Sequence, residues 1–344
     1  MGKRVRRARR PSLLRRIGKL LYGLLVVLSA VVVVLYLFFI VLKKEPTMAP
    51  NPTAPVTGTA APESGDTPVT VNGLTRKDKT YTVLLTCPDA TSGNADSIMV
   101  AMYDTVNQKA GLVSIPRDTL VEGESPNGNH YYKINSSYHY GIDELKETVS
   151  QLLGIPIDYY VAIDVETFPK LVDMVGGVDF EIPVYMDYDD PTQDLHIHFQ
   201  QGMTHLDGQA AMEVCRFRHN NAGKTQVAYT DVERTQTQQK ILTLIAQKAL
   251  SQPDNIPGYI NLVSENVETD LQLGEMLWFA EAALKFDLSN DLSTATLPGD
   301  GTVTYKGWTY CYELYPEETL SILNTMLNPY TSDITEDMVN ILQK

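Results

Sequence analysis

Residues 81–118 read YTVLLTCPDATSGNADSIMVAMYDTVNQKAGLVSIPRD, and this stretch is the strongest indication of the fold class. It contains three short runs rich in β-branched and aromatic residues, at 81–86, 97–103 and 111–115, with polar segments between them. Runs of this length and composition predict three successive β-strands.

Helical patterns follow these strands. Residues 142–153 carry apolar side chains at helical spacing and are followed by Gly154, a common helix stop. Further strands are predicted at 158–165 and 178–182, further helices at 168–175, 208–214 and 233–250, and a closing unit of strand and helix at 297–299, 308–312 and 317–327. Because strands and helices alternate, we predict a layered α/β domain. We expect it to have three layers, α-β-α, around a mixed central sheet.

The N-terminus predicts a membrane anchor in front of this domain. Residues 20–42 form an uncharged apolar run, and nine basic residues precede it within 1–19. As a helix the run would extend ~34 Å, enough to cross a hydrocarbon core of ~30 Å. The positive-inside rule then places the N-terminus in the cytoplasm and the rest outside, as a single-pass protein of the cell membrane. A cleaved signal peptide is the alternative, but the run is long and no small-x-small cleavage site follows it closely.

Composition indicates the remaining boundaries. Residues 43–73 contain six prolines among Thr, Ala and Gly, and are predicted to form an extracytoplasmic linker. The folded domain is predicted at 74–330 and a C-terminal tail at 331–344. Three cysteines in the whole chain are too few for a disulfide framework, so the domain must be stabilised by a packed core.

Charge excludes one class of partner. The net charge is −14, but residues 1–44 hold eleven basic residues and no acid, which leaves about −25 on residues 45–344. A domain this acidic repels nucleic acid, so no nucleic-acid partner is expected.

Two aspartates flank the turn after the first predicted strand. Asp89 follows that strand, and Asp96 directly precedes the second. A turn between them could bring both carboxylates to one place, and such oxygen ligands suit Mg²⁺. The alternative is a polar turn in which the side chains bond to the backbone.

Arginines provide the second indication of a site. Arg117 stands just past the carboxyl end of a predicted strand, where α/β proteins bind ligands. Arg216 and Arg218 are two residues apart and would point the same way in an extended segment. Residues 45–344 contain only five arginines, and four of them, including Arg234 after Asp231, lie in or near candidate motifs. This concentration favours an anion site, since guanidinium groups bind phosphate with two donors. A surface arginine paired with a carboxylate is the alternative.

Three weaker patterns have simpler explanations. His196 and His198 would share one face of a strand and could bind a metal, although ordinary surface histidines explain them too. Asp187, Asp189 and Asp190 could bind Ca²⁺ or form a solvated loop. The tyrosines between 131 and 140 could stack on sugars or pack in the core.

The ordered motifs resemble the LytR–CpsA–Psr family of cell-envelope glycan phosphotransferases, from about residue 81 to 240. The matching segments are LLTCPD (84–89), DSIMV (96–100), SIPRD (114–118), KINS (133–136) with Gly141, IPIDYY (155–160), VD (172–173) with GGVD (176–179), Gly202 with LDG (206–208), RFR (216–218), DVER (231–234) and QQ (238–239). The family usually has an arginine where this chain has Asn94, a glycine before the first aspartate motif where Cys87-Pro88 stands, and a charged residue at Thr237.

The resemblance implies an activity. It implies transfer of a glycan phosphate from a polyprenyl-pyrophosphate carrier to peptidoglycan, which attaches an anionic wall or capsular polymer. Asp89 and Asp96 would hold Mg²⁺ on the pyrophosphate, and an apolar cavity would take the prenyl chain. Two alternatives remain open: a pyrophosphatase that hydrolyses the same carrier, and a regulator or scaffold without catalysis.

The resemblance also implies roles for single residues. Arg117, Arg216, Arg218 and Arg234 would bind phosphate oxygens. Asp231, Arg117 and Arg216 would form the catalytic set, with Asp231 either orienting Arg234 or accepting a proton from the sugar hydroxyl. The partners would be the lipid-linked glycan, the peptidoglycan acceptor and the cytoplasmic membrane.

Overall fold

The computed structural model describes residues 42–52, 74–88, 93–125 and 127–344. The predicted anchor, apart from its last residue, and the predicted linker from residue 53 onward lie outside the described residues. Within the described ranges, the helices are all too short or too polar to span a membrane.

Strands and helices alternate along much of the described chain. The strands are β1 (Thr80–Pro88), β2 (Ala95–Asp104), β3 (Lys109–Ile115), β4 (Leu120–Glu124), β5 (His130–Lys133), β6 (Tyr159–Ala162), β7 (Val178–Ile182), β8 (Met186–Asp190), β9 (Leu195–Phe199), β10 (Gly202–Leu206), β11 (Glu268–Thr269), β12 (Leu292–Thr296), β13 (Gly299–Tyr305) and β14 (Trp308–Leu314). The α-helices are α1 (Ile142–Leu153), α2 (Thr167–Met174), α3 (Gly208–Arg216), α4 (Asp231–Leu250), α5 (Ile256–Asn266), α6 (Leu273–Ala283), α7 (Leu288–Asp291) and α8 (Pro316–Ile322).

The central sheet is mixed, as predicted. Six of the described strands form it in the order β11-β6-β1-β2-β3-β12. The pairs β1–β6 and β3–β12 are parallel, whereas β1–β2, β2–β3 and β6–β11 are antiparallel. The three strands predicted from residues 81–118 therefore form the middle of the sheet, and the mixed α/β fold is confirmed.

One face of the sheet packs against α1 and the segment after α8. Its buried core includes Leu84, Val100 and Val113 from the strands and Leu145 and Val149 from α1. Each of these side chains is buried, and burying a residue of this size contributes about 1.5–3 kcal/mol. The helical spacing seen in 142–153 is thus the spacing of the residues that contact the sheet.

Aromatic side chains cover the other face. Tyr81, which points away from Leu84 because strand residues alternate, packs its ring 5.6 Å from Trp278 and 5.1 Å from Phe279 of α6. Helices therefore contact both faces of the sheet.

A second core lies beside the sheet. The β7–β10 pair and the β8–β9 hairpin pack against α3 and α4. Phe180, Ile197, Leu206, Val214 and Ile241 are buried there. This core fixes the start of α4 and the end of α3, which carry several of the candidate residues.

Two segments predicted to lie outside the domain pack on it instead. In the predicted linker, the backbone N–H of Thr47 donates to the Tyr159 hydroxyl at 2.7 Å and that of Ala49 to Asp158 at 2.6 Å. In the predicted tail, Ile334 is buried and the Asn340 N–H donates to the Gln151 carbonyl at 3.1 Å. The boundaries at 43–52 and 331–344 therefore need correction. The reason is that these segments satisfy their backbone groups on the domain rather than in water.

The limits of some helices and strands agree with the prediction, and those of others do not. Ile142–Leu153 and Val178–Ile182 have the predicted limits. The strand predicted at 158–165 is only four residues long, Tyr159–Ala162, because the chain turns at Asp164, whose side chain accepts a hydrogen bond from the Thr167 N–H at the start of α2. The closing unit contains the hairpin of β13 and β14, which was predicted only in part.

Candidate functional site

The sheet register brings Asp96 and Arg117 together. Strands β2 and β3 are antiparallel, with Ile98 opposite Ile115. Asp96, two residues before Ile98, and Arg117, two residues after Ile115, therefore lie next to each other at the same end of the two strands. Arg117 Nη1 donates to Asp96 Oδ1 at 2.6 Å, and Arg117 Nε lies 3.7 Å from Asp118 Oδ2. The end of the strand predicted at 111–115 is therefore followed by a group of charged side chains.

Two further arginines approach the same group of carboxylates. Arg218 Nη2 lies 3.9 Å from Asp96 Oδ1, and Arg234 Nη2 lies 2.7 Å from Asp231 Oδ1. Asp231 and Arg234 share the first turn of α4 at i,i+3 spacing, which makes them neighbours on the helix surface. The N-terminus of α4 is fixed by a capping box between Thr230 and Glu233, so this turn is well anchored.

The pKa shifts of Arg117 and Arg218 indicate that these charged groups interact with one another. Burial alone would lower the pKa of Arg117, but its hydrogen bond to Asp96 and the charges of Asp96, Asp118 and Asp231 raise it. Burial lowers the pKa of Arg218, and the positive charges of Arg234 and Arg117 lower it further. Arginine stays protonated in either direction, so three guanidinium groups repel one another at this site. An anion among them would relieve that repulsion.

The terminal nitrogens of these arginines are the donors that could contact an anion. Arg117 Nε and Arg234 Nε also have no hydrogen-bond partner among the described residues, but both atoms are buried, so a ligand would not reach them. We refer to Arg117, Arg218 and Arg234, with Asp96 and Asp231, as the arginine cluster.

Arg216 lies apart from this cluster. It is the last residue of α3, where its Nη2 atom donates to Gln193 Oε1 at 2.6 Å and its Nη1 lies 3.9 Å from Met212 Sδ. Arg216 and Arg218 were expected to point the same way along an extended segment, but the helix continues through Arg216. Phe217 between them is fully buried and anchors the segment.

An apolar groove adjoins the arginine cluster. Its lining comes from the sheet face opposite α1 and from α3 and α4, with Arg216 and Ser97 at its polar part. The apolar lining includes Leu85, Met99, Ile163, Phe168, Met212 and Leu242. On α4, Gln238 of the groove lies one helical turn after Arg234 of the cluster, so groove and cluster adjoin each other there. No lining residue was singled out from the sequence for this role, although Leu85 and Met99 fall on the strand face away from the buried core.

One of the two predicted metal ligands belongs to the described residues. Asp89 lies outside them. Asp96 is partly exposed, and both of its arginine contacts use Oδ1. The second carboxylate oxygen, Oδ2, is therefore the atom that would contact a cation.

The remaining candidates lie elsewhere. His196 and His198 stand on the β8–β9 hairpin with Asp187 and Asp189. Tyr131 is buried in the core, which leaves Tyr132 as the tyrosine of β5 whose ring joins Tyr305 and Trp308 near the surface.

Two contacts of the site were not predicted from the sequence. Lys133 Nζ lies 3.0 Å from Asp118 Oδ1, and Gln193 accepts the hydrogen bond of Arg216. Lys133 belongs to a matched motif and could have been identified from it. Nothing in the sequence around Gln193 indicates its role.

The fold and the site together define a class. A mixed α/β sheet ends in a cluster of three guanidinium groups, and an apolar groove opens beside it. This combination suits a ligand with an anionic group attached to an apolar chain.

The LytR_cpsA_psr family model matches residues 53–327, and the chain belongs to this family. The polyisoprenyl-teichoic acid–peptidoglycan teichoic acid transferase TagV of Bacillus subtilis is 32% identical over 228 residues, which are 64% of this chain and 56% of TagV. The transferase of the same description from Bacillus anthracis, TagU, is 32% identical over 227 residues, 64% of this chain and 68% of TagU. The crystal structure of B. subtilis TagV has a TM-score of 0.61 at 29% identity and covers 72% of this chain and 96% of that chain. This chain thus spans little more than half the length of TagV.

Proposed function

We propose that this protein transfers a glycan phosphate from a polyprenyl-pyrophosphate carrier to peptidoglycan, with an anionic wall polymer such as teichoic acid as the glycan. The single observation that carries the proposal is that the apolar groove and the arginine cluster adjoin on α4, where Gln238 of the groove lies one turn after Arg234 of the cluster. A prenyl chain would occupy the groove, and the pyrophosphate would lie against the guanidinium groups. Relatives named as teichoic acid transferases support the same class of reaction.

The arginine cluster would stabilise the charge that develops during transfer. A peptidoglycan hydroxyl oxygen attacks the phosphorus that carries the glycan, the bond to the bridging oxygen breaks, and prenyl phosphate leaves. Arg117, Arg218 and Arg234 donate to the phosphate oxygens, a contribution that positioned donors supply without reorganisation. Arg216 binds the prenyl-proximal part of the pyrophosphate, since it lines the groove.

Asp231 would act in two ways. Its Oδ1 atom holds Arg234 at 2.7 Å, which supports a positioning role. The Asp231 side chain is partly exposed, and its Oδ2 atom would take the proton of the attacking hydroxyl.

We infer that Asp96 and Asp89 hold Mg²⁺ at this site, with Asp96 Oδ2 as the ligand atom that the arginine contacts leave available. When bound, Mg²⁺ would neutralise charge on the pyrophosphate.

The proposed location follows from the basic residues in 1–19 and the apolar run at 20–42. We propose a single transmembrane helix with the catalytic domain on the extracytoplasmic side, where lipid carrier and peptidoglycan meet.

A transfer assay tests the function. The full chain is incubated with a polyprenyl-pyrophosphate-linked glycan, with and without peptidoglycan, and the phosphorus-containing products are separated. We expect glycan phosphate on peptidoglycan and released prenyl phosphate, both dependent on the acceptor. Release of glycan phosphate at the same rate without acceptor would instead identify a pyrophosphatase, and no turnover of the carrier would identify a regulator or scaffold.

The metal is tested in the same assay. Activity should be lost in EDTA and restored by excess Mg²⁺, whereas unchanged turnover in EDTA would contradict the metal assignment.

A further inference from the structure

The β8–β9 hairpin carries a cluster of side chains that the proposed transfer reaction does not use. Strands β8 and β9 are antiparallel, with Asp189 opposite His196 and Asp187 opposite His198. Because alternate residues of a strand share a face, these four side chains lie on one side of the hairpin. Tyr188 and Ile197 face the other way, toward the second core.

Three ligand atoms of this hairpin converge. Asp189 Oδ1 lies 2.6 Å from His196 Nδ1 and 3.2 Å from His198 Nε2. One ligand atom from each of the three residues lies within 4.8 Å of the other two. Atoms this close can reach a common ion with small side-chain rotations, since metal–nitrogen and metal–oxygen bonds to zinc are ~2.0–2.2 Å long.

Asp187 orients one of the two imidazoles. Its Oδ1 atom lies 3.1 Å from His198 Nδ1, which directs Nε2 of the same ring toward Asp189. Asp187 is itself buried and fixed, because the Tyr185 hydroxyl lies 2.7 Å and Lys224 Nζ 2.9 Å from its Oδ2 atom. A carboxylate behind a histidine is the arrangement that fixes the tautomer of histidines that bind metals. This contact is independent of the convergence of the three ligand atoms.

The surroundings favour a cation. Glu213 of α3 lies close enough for its charge to interact with both His196 and His198. Asp194, just before the start of β9, has its Oδ1 atom 3.6 Å from His196 Nε2. Negative charge therefore faces the imidazoles from two further directions.

We propose that Asp189, His196 and His198 form a site for a divalent transition metal of the zinc class, with Asp187 as the residue that positions His198. Two nitrogens and one carboxylate oxygen leave a fourth position open to water. Imidazole ligands distinguish this site from an all-oxygen Ca²⁺ or Mg²⁺ site. The site goes beyond the proposed transfer reaction and does not depend on it.

Ca²⁺ binding and a solvated loop were the two interpretations of Asp187, Asp189 and Asp190; in the structure these residues lie on strand β8, and Asp187 and Asp189 contact the two histidines. The Asp190 side chain turns away into the hairpin loop, where the Thr192 hydroxyl and the Gln193 amide donate to it. Gln193 of that loop also accepts the hydrogen bond of Arg216, which connects the hairpin loop to a residue that lines the groove.

Zinc titration of the full chain tests the proposal. Zn²⁺ alone is added to the metal-free full chain in competition with a chromophoric chelator, for the wild type and for His196→Gln, His198→Gln and Asp187→Asn. We expect one zinc per chain in the wild type. Each histidine variant should weaken binding at least about tenfold, and Asp187→Asn by about 10–100-fold.

His205→Gln is the matched control. His205 forms a similar exposed pair with Asp179, its Nδ1 atom 2.8 Å from Asp179 Oδ1, but it lies outside the cluster. Its zinc affinity should equal that of the wild type. Equal affinity in the wild type and both cluster histidine variants would overturn the proposal, as would the absence of competition for zinc by the wild type. Thermal unfolding of the metal-free His196→Gln and His198→Gln variants should match the wild type, since both histidines are exposed, and this measurement separates lost ligands from lost folding.

Discussion

Two arginine–aspartate groups in this molecule differ in how completely their charges are paired. Arg76 and Asp158 form a bidentate ion pair, with Arg76 Nη1 2.7 Å from Asp158 Oδ1 and Nη2 2.8 Å from Oδ2. The backbone N–H of Thr82 donates to the same carboxylate at 2.8 Å. The two side chains are 7% and 0% exposed. We call this pair closed, because both terminal nitrogens of Arg76 and both carboxylate oxygens of Asp158 have partners.

The arginine cluster is open by comparison. Each of its three guanidinium groups reaches a carboxylate of the cluster through one terminal nitrogen, and Arg117 and Arg218 share the single oxygen Oδ1 of Asp96. Arg218 is 44% exposed. The Nε atom of Arg76 is buried without a partner among the described residues as well, so it is the terminal nitrogens that distinguish the two regions. Closed pairing serves stability, whereas surplus donors at a groove serve binding.

The largest expected effect is on the closed pair. Replacing Asp158 with Ala leaves the Arg76 charge buried without its partner, which should lower the free energy of unfolding by about 3–5 kcal/mol. Denaturant unfolding of the full chain measures this change. Lys306→Gln is the control, because Lys306 pairs with Glu122 at the surface and exposed pairs contribute only about 0–1 kcal/mol. Equal losses in both variants would show that the Arg76–Asp158 pair contributes no more stability than an exposed ion pair.

The next effect is on turnover at the open cluster. Arg117→Lys and Arg218→Lys keep the charge but lose the planar fork that binds phosphate with two donors. Turnover in the transfer assay should fall about 10²-fold, the cost of removing one positioned donor. Arg218 is 44% exposed, so its substitution should change the free energy of unfolding by less than about 0.5 kcal/mol, whereas Arg117 is partly buried and its substitution should cost about 1 kcal/mol. Wild-type turnover together with a large stability loss would assign these arginines to structure instead.

The smallest effect on turnover is expected for the Arg234–Asp231 pair, whose arginine shares burial with the closed pair and belongs to the open cluster. Arg234 is buried like Arg76 but belongs to the open cluster through Asp231. Asp231→Asn keeps one acceptor for Arg234 and removes the charge, so we expect turnover to fall about tenfold and the free energy of unfolding by about 1–2 kcal/mol. Turnover against pH separates the two proposed roles of Asp231. Loss of the proton acceptor should change the shape of the profile, whereas loss of positioning should scale it uniformly.

Local sequence patterns predicted the positions of some residues in these two regions but not of others. Asp96 and Arg117 were each predicted at the end of a strand, but their contact was not predicted, because it follows from the antiparallel register of β2 and β3. The Arg76–Asp158 pair was not predicted either, since its members are far apart in sequence and Asp158 was predicted only as the start of a strand. Arg216 was misplaced because α3 continues two residues past Val214, and each helical residue turns the side chain by about 100°.

The segments at 43–52 and 331–344 were missed for another reason. Their composition is that of a linker and a tail, and they are fixed by contacts with distant residues such as Tyr159 and Gln151. Local propensity does not contain such contacts. The groove was likewise not predictable as a unit, because its lining comes from strands and helices that meet only in the folded chain.

Direct binding of a prenyl pyrophosphate tests the central claim that the open cluster and the groove bind one amphipathic anion. The full chain is titrated calorimetrically with a short-chain prenyl pyrophosphate, and Arg117→Lys, Arg218→Lys and the control Lys306→Gln are titrated alongside. We predict binding by the wild type and the control, and a dissociation constant about 10–100-fold higher in each arginine variant, the equivalent of one charge-assisted hydrogen bond. Equal dissociation constants in all four proteins would contradict the claim.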